Sequence, residues 1–288
     1  MFTSFDQMNP MHPSTLALIR AAITEDIGSG DVTSEYFIPS ASTSKANLVA
    51  REAGVLSGSE VALAVFAEID PSLDVRCLKR DGDLLTLGDT VMEISGSTRS
   101  LLSAERTALN FLQRLCGVAT LARRYVEAVK PHAVKVLDTR KTTPGWRLLE
   151  KNAVRDGGGT NHRIGLYDQV MVKDNHLVAS GSTKALQAAI DRVNQERPAV
   201  KVQLEADSLA QVKTFLDLRG VDMILLDNMS PALLREAVRL NAGRLFLEAS
   251  GGITLSTIQD VAATGVDAIS VGAITHSARA LDLALDFV

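Results

Sequence analysis

Val200-Lys-Val-Gln-Leu-Glu205 and Asp222-Met-Ile-Leu-Leu-Asp227 share one plan: a short run of strand-forming residues that stops on a carboxylate. Four more stretches end on a polar or functional residue in the same way. They are Ala133-Val-Lys-Val-Leu-Asp138, Asp168-Gln-Val-Met-Val-Lys173, Arg244-Leu-Phe-Leu-Glu248 and Asp267-Ala-Ile-Ser-Val-Gly272. Helix-length sequence separates most of them, and the spacing predicts helices near 183–196, 208–219, 231–241 and 254–264. Strand, functional group, helix is the order of a parallel α/β barrel, where chemistry gathers at the carboxyl ends of the strands. A full eightfold barrel takes about 250 residues, whereas this alternation begins only near residue 131. The expectation for 118–276 is therefore an incomplete, six-stranded α/β barrel that acts as an enzyme.

The sequence before it has a different texture. Pro13 to Thr24 has helical apolar spacing and leads to Gly28-Ser-Gly-Asp31. Short strands are expected at 46–52, 74–80 and 90–95, separated by turns such as Asp81-Gly82-Asp83. A helix follows with Ser103 as its N-cap and Leu109, Leu112 and Leu115 on one apolar face. A second helix, 120–130, should lead into the first barrel strand. Residues 1–117 thus read as an N-terminal α/β sandwich domain, which a closing helix at 277–288 could join.

The chain has 288 residues, of which 46% are hydrophobic, and a net charge of −4. That composition fits a globular protein with an ample core and calls for neither a nucleic-acid nor a membrane partner. No secretory leader is recognisable in residues 1–13, so the cytoplasm is the expected location. Cys77 and Cys116 are too few for a disulfide framework or a cysteine zinc site and are expected to be buried free thiols.

Cations crowd the region from 138 to 176. Arg140 and Lys141 follow the first strand, His162 and Arg163 follow Gly157-Gly-Gly159, and Lys173 ends the second strand. Convergent cations in an acidic protein call for a small polyanion, because the Arg fork matches carboxylates and phosphates. Glu205 and Asp227 end consecutive strands; neighbouring strands lie about 4.8 Å apart, close enough for both acids to address one ion. Hard oxygen donors favour Mg²⁺ shared with ligand phosphates. Helix capping or pairing with a nearby cation is the alternative for each acid, and Glu248 is a weaker candidate for the same cluster. Ser250-Gly251-Gly252 and Gly272 fit a backbone phosphate site, with plain tight turns as the alternative. His276, just beyond, either contacts that phosphate or caps the final helix.

Several motifs together resemble the quinolinate phosphoribosyltransferase family (nicotinate-nucleotide pyrophosphorylase, decarboxylating). They are Glu25-Asp-Ile-Gly-Ser-Gly-Asp-Val-Thr-Ser34, Ala104-Glu-Arg-Thr-Ala-Leu-Asn-Phe-Leu-Gln113, Asp138-Thr-Arg-Lys-Thr-Thr-Pro-Gly145 and Gly158-Gly-Thr-Asn-His-Arg163. Lys173-Asp-Asn-His176, Leu225-Leu-Asp-Asn228, Glu248-Ala-Ser-Gly-Gly-Ile253 and Ser270-Val-Gly272 complete the set. The resemblance implies transfer of phosphoribose from phosphoribosyl pyrophosphate to quinolinate with loss of carbon dioxide, in NAD biosynthesis. It also implies a homodimer with shared active sites. By the same resemblance Arg140, Lys141, His162, Arg163 and Lys173 line the quinolinate pocket, with Arg106 entering from the partner. Glu205 and Asp227 would hold Mg²⁺, while Ser250, Gly251, Gly252, Gly272 and His276 would take the 5′-phosphate. Lys141, Lys173, Glu205 and Asp227 are the expected catalytic residues. A nicotinate phosphoribosyltransferase, another phosphosugar-binding barrel enzyme or a Schiff-base aldolase using Lys173 are the alternatives; a ligand-binding regulator without turnover is the non-enzyme one.

Overall fold

The computed structural model describes residues 11–176 and 182–288; the first ten residues, read above for a leader, lie outside the described set. Two compact units emerge. Residues 11–123, 142–158 and 277–288 form the first, and 124–141 with 159–276 form the second. The segment 142–158 thus belongs with the N-terminal residues, although sequence of the second unit flanks it on both sides.

In chain order the first elements are α1 (Pro13–Ile27), α2 (Val32–Phe37), β1 (Thr43–Ala50), β2 (Gly54–Val55) and α3 (Ser59–Ile69). Then come β3 (Asp74–Cys77), β4 (Leu84–Leu85), β5 (Thr90–Ser97) and α4 (Thr98–Ala128). The chain continues with β6 (Lys135–Leu137), α5 (Arg147–Asp156), β7 (Gln169–Val172), α6 (Thr183–Glu196), β8 (Lys201–Ala206) and α7 (Leu209–Leu216). It continues with β9 (Met223–Asp227), α8 (Pro231–Asn241), β10 (Phe246–Ser250), α9 (Ile258–Ala262), β11 (Ala268–Ser270) and α10 (Ala273–His276). The last element is β12 (Leu283–Phe287).

The first unit is built on an antiparallel sheet in the order β12-β1-β5-β3, with β2 and β4 paired apart from it. Three expectations fail here. The closing residues form no helix: Leu283-Ala-Leu-Asp-Phe287 pairs with β1 from Ala46↔Phe287 to Ala50↔Leu283, and Leu283 and Leu285 are buried. Helix-forming Ala and Leu yield here because pairing and burial outweigh intrinsic propensity. The two expected helices are one, α4, and Ser103 lies inside it with its hydroxyl donating to Asp31 (2.9 Å). Gly117 looks like a stop signal, yet a Cβ there would lie 2.0 Å from the Arg279 carbonyl oxygen. It serves close passage of the returning chain, not a helix end. The third concerns the thiols: both cysteines are free, but only Cys116 is buried, Cys77 being partly exposed. Leu109, Leu112 and Leu115 are buried as expected.

The same unit grips the residues that follow Lys141. Glu150, fully buried, accepts from Arg114 (Nη2 at 2.8 Å) and from the backbone N–H and hydroxyl of Thr143 (3.0 and 2.9 Å). Arg114 also donates to the Ala278 carbonyl (2.6 Å), and Trp146 stacks on Phe111 with centroids 4.6 Å apart. The Arg114–Glu150 ion pair, buried at its carboxylate, ties α4, α5 and the C-terminal segment together, and Glu150 tolerates burial because it is multiply hydrogen-bonded.

The second unit is the expected open α/β barrel of six parallel strands, in the order β6-β11-β10-β9-β8-β7. Ser182, Ser208 and Ser230 start α6, α7 and α8 by accepting N–H bonds from residues three further on. Acids at the two ends of the strands have different duties. At the amino ends, Asp222 accepts from the Val202 N–H (2.8 Å) and Asp267 from the Leu247 N–H (2.7 Å), which stitches neighbouring strands in register. The acids at the carboxyl ends are left for the site. On the outer edge of β6, Thr160 makes a parallel bridge to Leu137 and carries the chain past the end of that strand.

Asp156, at the end of α5, offers a test of the first unit. Burial pushes its carboxyl up to about 6; Asp81 and Glu60 add to this, while the Ser57 hydroxyl (2.7 Å) and Arg155 oppose it. A carboxyl raised in the folded state favours folding below its unfolded pKa, and that contribution is lost as pH rises through 6. Asp156→Asn should therefore raise the melting temperature at pH 8 and change it little at pH 5. Thermal unfolding at both pH values checks this, and equal shifts at the two would contradict it.

Candidate active site

Side chains alternate along each strand, so residues two apart share a face. On the barrel's inner face this brings together Met171 and Lys173 of and beyond β7, Gln203 and Glu205 of β8, Leu225 and Asp227 of β9, Glu248 and Ser250 of β10, and Ser270 of β11. Except for Gln203, which lies deeper, these residues line a cavity of about 670 Å³. Arg140, Lys141, His162, Arg163, Gly251, Gly252, Gly272 and His276 complete the expected set around it, all within the second unit. Arg106 belongs to the first unit, where it is exposed on α4.

The cationic wall is organised by a residue the sequence reading passed over. Asp138, fully buried, accepts from the Asn161 side chain (2.7 Å) and from the His162 backbone N–H (2.8 Å). It holds the turn carrying His162 and Arg163 beside the end of β6, next to Arg140 and Lys141. Arg163 donates to the Gln169 carbonyl (3.1 Å) and the Met171 sulfur (3.5 Å). Burial, and then the charge of Arg140, lower its guanidinium pKa. Two cations held this close at one wall present a field that a dicarboxylate or phosphate relieves.

Glu205 and Asp227 do share the cavity. Glu205 pairs with the Lys173 ammonium (2.6 Å). Burial raises its carboxyl pKa, with Asp227 adding to the rise and Lys173 opposing it. A second cation near such a pair would relieve the repulsion, so the donors fit a hard divalent ion. Among the described residues no group of three or more His, Cys, Asp or Glu is placed to hold a metal. The remaining ligands of such an ion would have to be substrate oxygens and water, which is the usual habit of Mg²⁺. Glu248 does not join these acids. It is fully buried; burial would push its carboxyl up, but hydrogen bonds from His162 (3.1 Å), Ser270 and Gln203 (2.7 Å) outweigh that and hold it low.

The glycine turns are arranged differently from a helix-terminus anion site. α9 begins only at Ile258, so Gly251 and Gly252 lie in a loop, with positive φ angles of 103° and 60°. Gly272, in contrast, directly precedes α10, and a Cβ there would lie 3.1 Å from Lys141 and 3.2 Å from His276. Asn228, with φ of 53°, donates to Asp227 (2.7 Å), and its side chain fills the space a Cβ on Gly251 would need. Asn228 was legible only as a motif neighbour. Its left-handed backbone was the missed signal, since Asn tolerates that region.

A parallel barrel whose strand ends gather cations, two carboxylates and glycine turns defines an enzyme for a small polyanion. Residues 31–116 match the family model for the quinolinate phosphoribosyl transferase N-terminal domain, and 118–286 that for the C-terminal domain. The chain belongs to the quinolinate phosphoribosyltransferase family. It is 40% identical to a mitochondrial quinolinate phosphoribosyltransferase (decarboxylating) of Nicotiana tabacum, over 98% of this chain and 85% of that protein. It is also 40% identical to a probable nicotinate-nucleotide pyrophosphorylase of Bacillus subtilis, over 96% and 94% of the two chains. The crystal structure of NadC from Streptococcus pyogenes matches with a TM-score of 0.90 and 42% identity, covering 98% of this chain and 100% of that one. Human nicotinic acid phosphoribosyltransferase shares only the fold, at 14% identity and a TM-score of 0.62 over 100% of this chain and 74% of that one.

Gly251→Ala tests the Asn228 contact. The new Cβ would fall 2.1 Å from the Asn228 side-chain oxygen and 2.9 Å from its backbone nitrogen, in a backbone conformation that disfavours any side chain. A stability loss of about 1–3 kcal/mol is expected from the overpacking, read by denaturant unfolding. A neutral substitution would show that the turn yields freely.

Proposed function

We propose that this cavity joins quinolinate to phosphoribosyl pyrophosphate, releasing nicotinate mononucleotide, pyrophosphate and carbon dioxide in NAD biosynthesis. The chain is a pentosyltransferase of the quinolinate phosphoribosyltransferase type. The observation that carries the assignment of sites is the meeting in one cavity of cations from beyond β6 and β7 with carboxylates from the ends of β8 and β9, where Lys173 pairs with Glu205. A pyridine dicarboxylate needs the first, and a ribose gaining positive charge as pyrophosphate departs needs the second.

Arg140, Lys141, His162, Arg163 and Lys173 surround the quinolinate carboxylates in this reading. The ring nitrogen attacks the anomeric carbon, the bond to pyrophosphate breaks, and Glu205 and Asp227 face the charge that builds on the sugar. Glu205 and Asp227 would hold Mg²⁺, which would supply charge neutralisation for the leaving pyrophosphate. Ser250, the backbone of Gly251, Gly252 and Gly272, and His276 receive the 5′-phosphate. Once the ring nitrogen is quaternary, its positive charge stabilises the electron pair left on the adjacent ring carbon as the carboxylate there departs as carbon dioxide, and that carbon then takes up a proton from water. A steady-state assay with quinolinate, phosphoribosyl pyrophosphate and Mg²⁺, following carbon dioxide and mononucleotide together, tests the whole reading. Turnover of nicotinate in place of quinolinate would overturn it.

The assembly and the setting belong to the same proposal. The protein acts as a homodimer in which Arg106 of the partner subunit completes each site, as the family resemblance implies. Its exposure on α4 leaves it available for such a role. Among the described residues no helix is long and apolar enough to cross a membrane. A cytoplasmic location remains part of the proposal, supported by composition; the tobacco relative named above is mitochondrial.

Glu205→Gln and Asp227→Asn should each raise the Mg²⁺ requirement and depress turnover while leaving quinolinate affinity largely intact. Metal titrations of activity alongside equilibrium quinolinate binding check this. Collapse of quinolinate affinity with unchanged metal dependence would reverse the roles. For the dimer, an inactive Arg106→Ala protein mixed with an inactive Lys173→Ala protein should regain activity, with at most one intact site per mixed dimer. Verified subunit exchange without any return of activity would place Arg106 outside the partner's site.

A further inference from the structure

Both nitrogens of the His162 ring are already engaged inside the protein. Nδ1 accepts the Arg163 backbone N–H at 2.6 Å, so the proton sits on Nε2, which donates to Glu248 at 3.1 Å. From Glu248 the hydrogen bonds continue around the barrel interior. Gln203 Nε2 donates to the same Glu248 oxygen (2.7 Å), and Gln169 Nε2 donates to Gln203 Oε1 (2.7 Å). The Gln169 carbonyl then accepts from the Arg163 guanidinium at 3.1 Å. The path has returned to the residue where it began.

The geometry points to a closed ring of hydrogen bonds, Arg163–His162–Glu248–Gln203–Gln169–Arg163, that aims the Arg163 guanidinium at the substrate and withdraws His162 from direct proton transfer. The inference rests on the proposed function insofar as Arg163 is taken to meet a quinolinate carboxylate. Glu248, Gln203 and Gln169 are positioning residues in it: they hold Arg163 at its backbone and at its guanidinium. Gln203 and Glu248 are fully buried, so the link between them runs where water does not compete, and breaking it leaves a polar group stranded. Holding both ends has a physical purpose. An Arg fork gains its advantage over a point charge only when its plane is oriented before the ligand arrives. Gln203 does not line the cavity, so its substitution acts on quinolinate only indirectly, through the residues it holds.

The test is a double-mutant cycle between Gln203→Leu and Arg163→Lys, read as kcat and KM for each substrate. Arg163→Lys keeps the charge and loses the fork, and should reduce kcat/KM for quinolinate at least about tenfold. Gln203→Leu should raise the quinolinate KM by roughly tenfold and leave that for phosphoribosyl pyrophosphate within about twofold, and the double variant should be no worse than Arg163→Lys alone, as coupled residues behave. Additive penalties would overturn the ring while leaving the functional reading intact. An Arg163→Lys protein as active as the original would instead remove Arg163 from the substrate and sink the reading beneath it. Nitrogen-15 spectra supply a readout that a merely structural role would not move. His162 should be the Nε2–H tautomer in the native protein, and an Nδ1–H tautomer overturns the proposal directly. If Gln203→Leu does not fold, Gln169→Met breaks the next link from a less buried position and carries the same expectations.

Discussion

A carboxylate with no exposure to water sits at the centre of the barrel, and the second unit is arranged to compensate it. Glu248 is the middle residue of β10, and donors reach it from β8, from β11 and from the turn beyond β6. An isolated charge in that position would cost several kcal/mol. Surrounded by three donors it becomes a fixed acceptor that specifies where each neighbouring strand and the His162 turn must lie. Stability and site geometry therefore depend on the same atoms.

Two other buried carboxylates do comparable work on the segment from 138 to 150. Asp138 holds the Asn161–His162 turn beside the start of that segment, within the second unit. Glu150 holds Thr143 near its other end, within the first. Arg140 and Lys141 lie between these anchors. A cation-bearing turn held by a buried, hydrogen-bonded carboxylate of its own unit, as Asp138 holds the His162–Arg163 turn, loses little conformational entropy when an anionic ligand arrives.

The same residue type takes different duties according to its place on a strand. Asp222 and Asp267, at amino ends, accept backbone N–H groups of neighbouring strands and serve the architecture. Glu205 and Asp227, at carboxyl ends, face the cavity. Glu205 keeps a pairing cation and a raised pKa, which marks it as a group whose charge is not yet fully compensated. Parallel pairing sorts these roles, because it places every carboxyl end on one side.

Residues 200–227 and their four counterparts determined the parallel barrel on their own, since apolar runs ending on functional groups at helix-length intervals have few other solutions. Lys173, Glu205 and Asp227 were legible because a strand end is visible in sequence and its direction follows from the fold class. Gln169 and Gln203 were not. A lone amide in a strand has no readable meaning until its partner on another strand is known, and that partner is set by register. Tertiary structure also overruled local signals between Leu115 and Thr120, where two expected helices proved to be one, and at 283–287, where pairing with β1 overcame helix propensity. Sequence by itself decided which groups stand at the strand ends, because that depends on local periodicity. Which of them are compensated, oriented or left to meet a ligand was decided only by the folded chain, because hydrogen bonds between residues far apart in sequence exist only once the strands have taken their places.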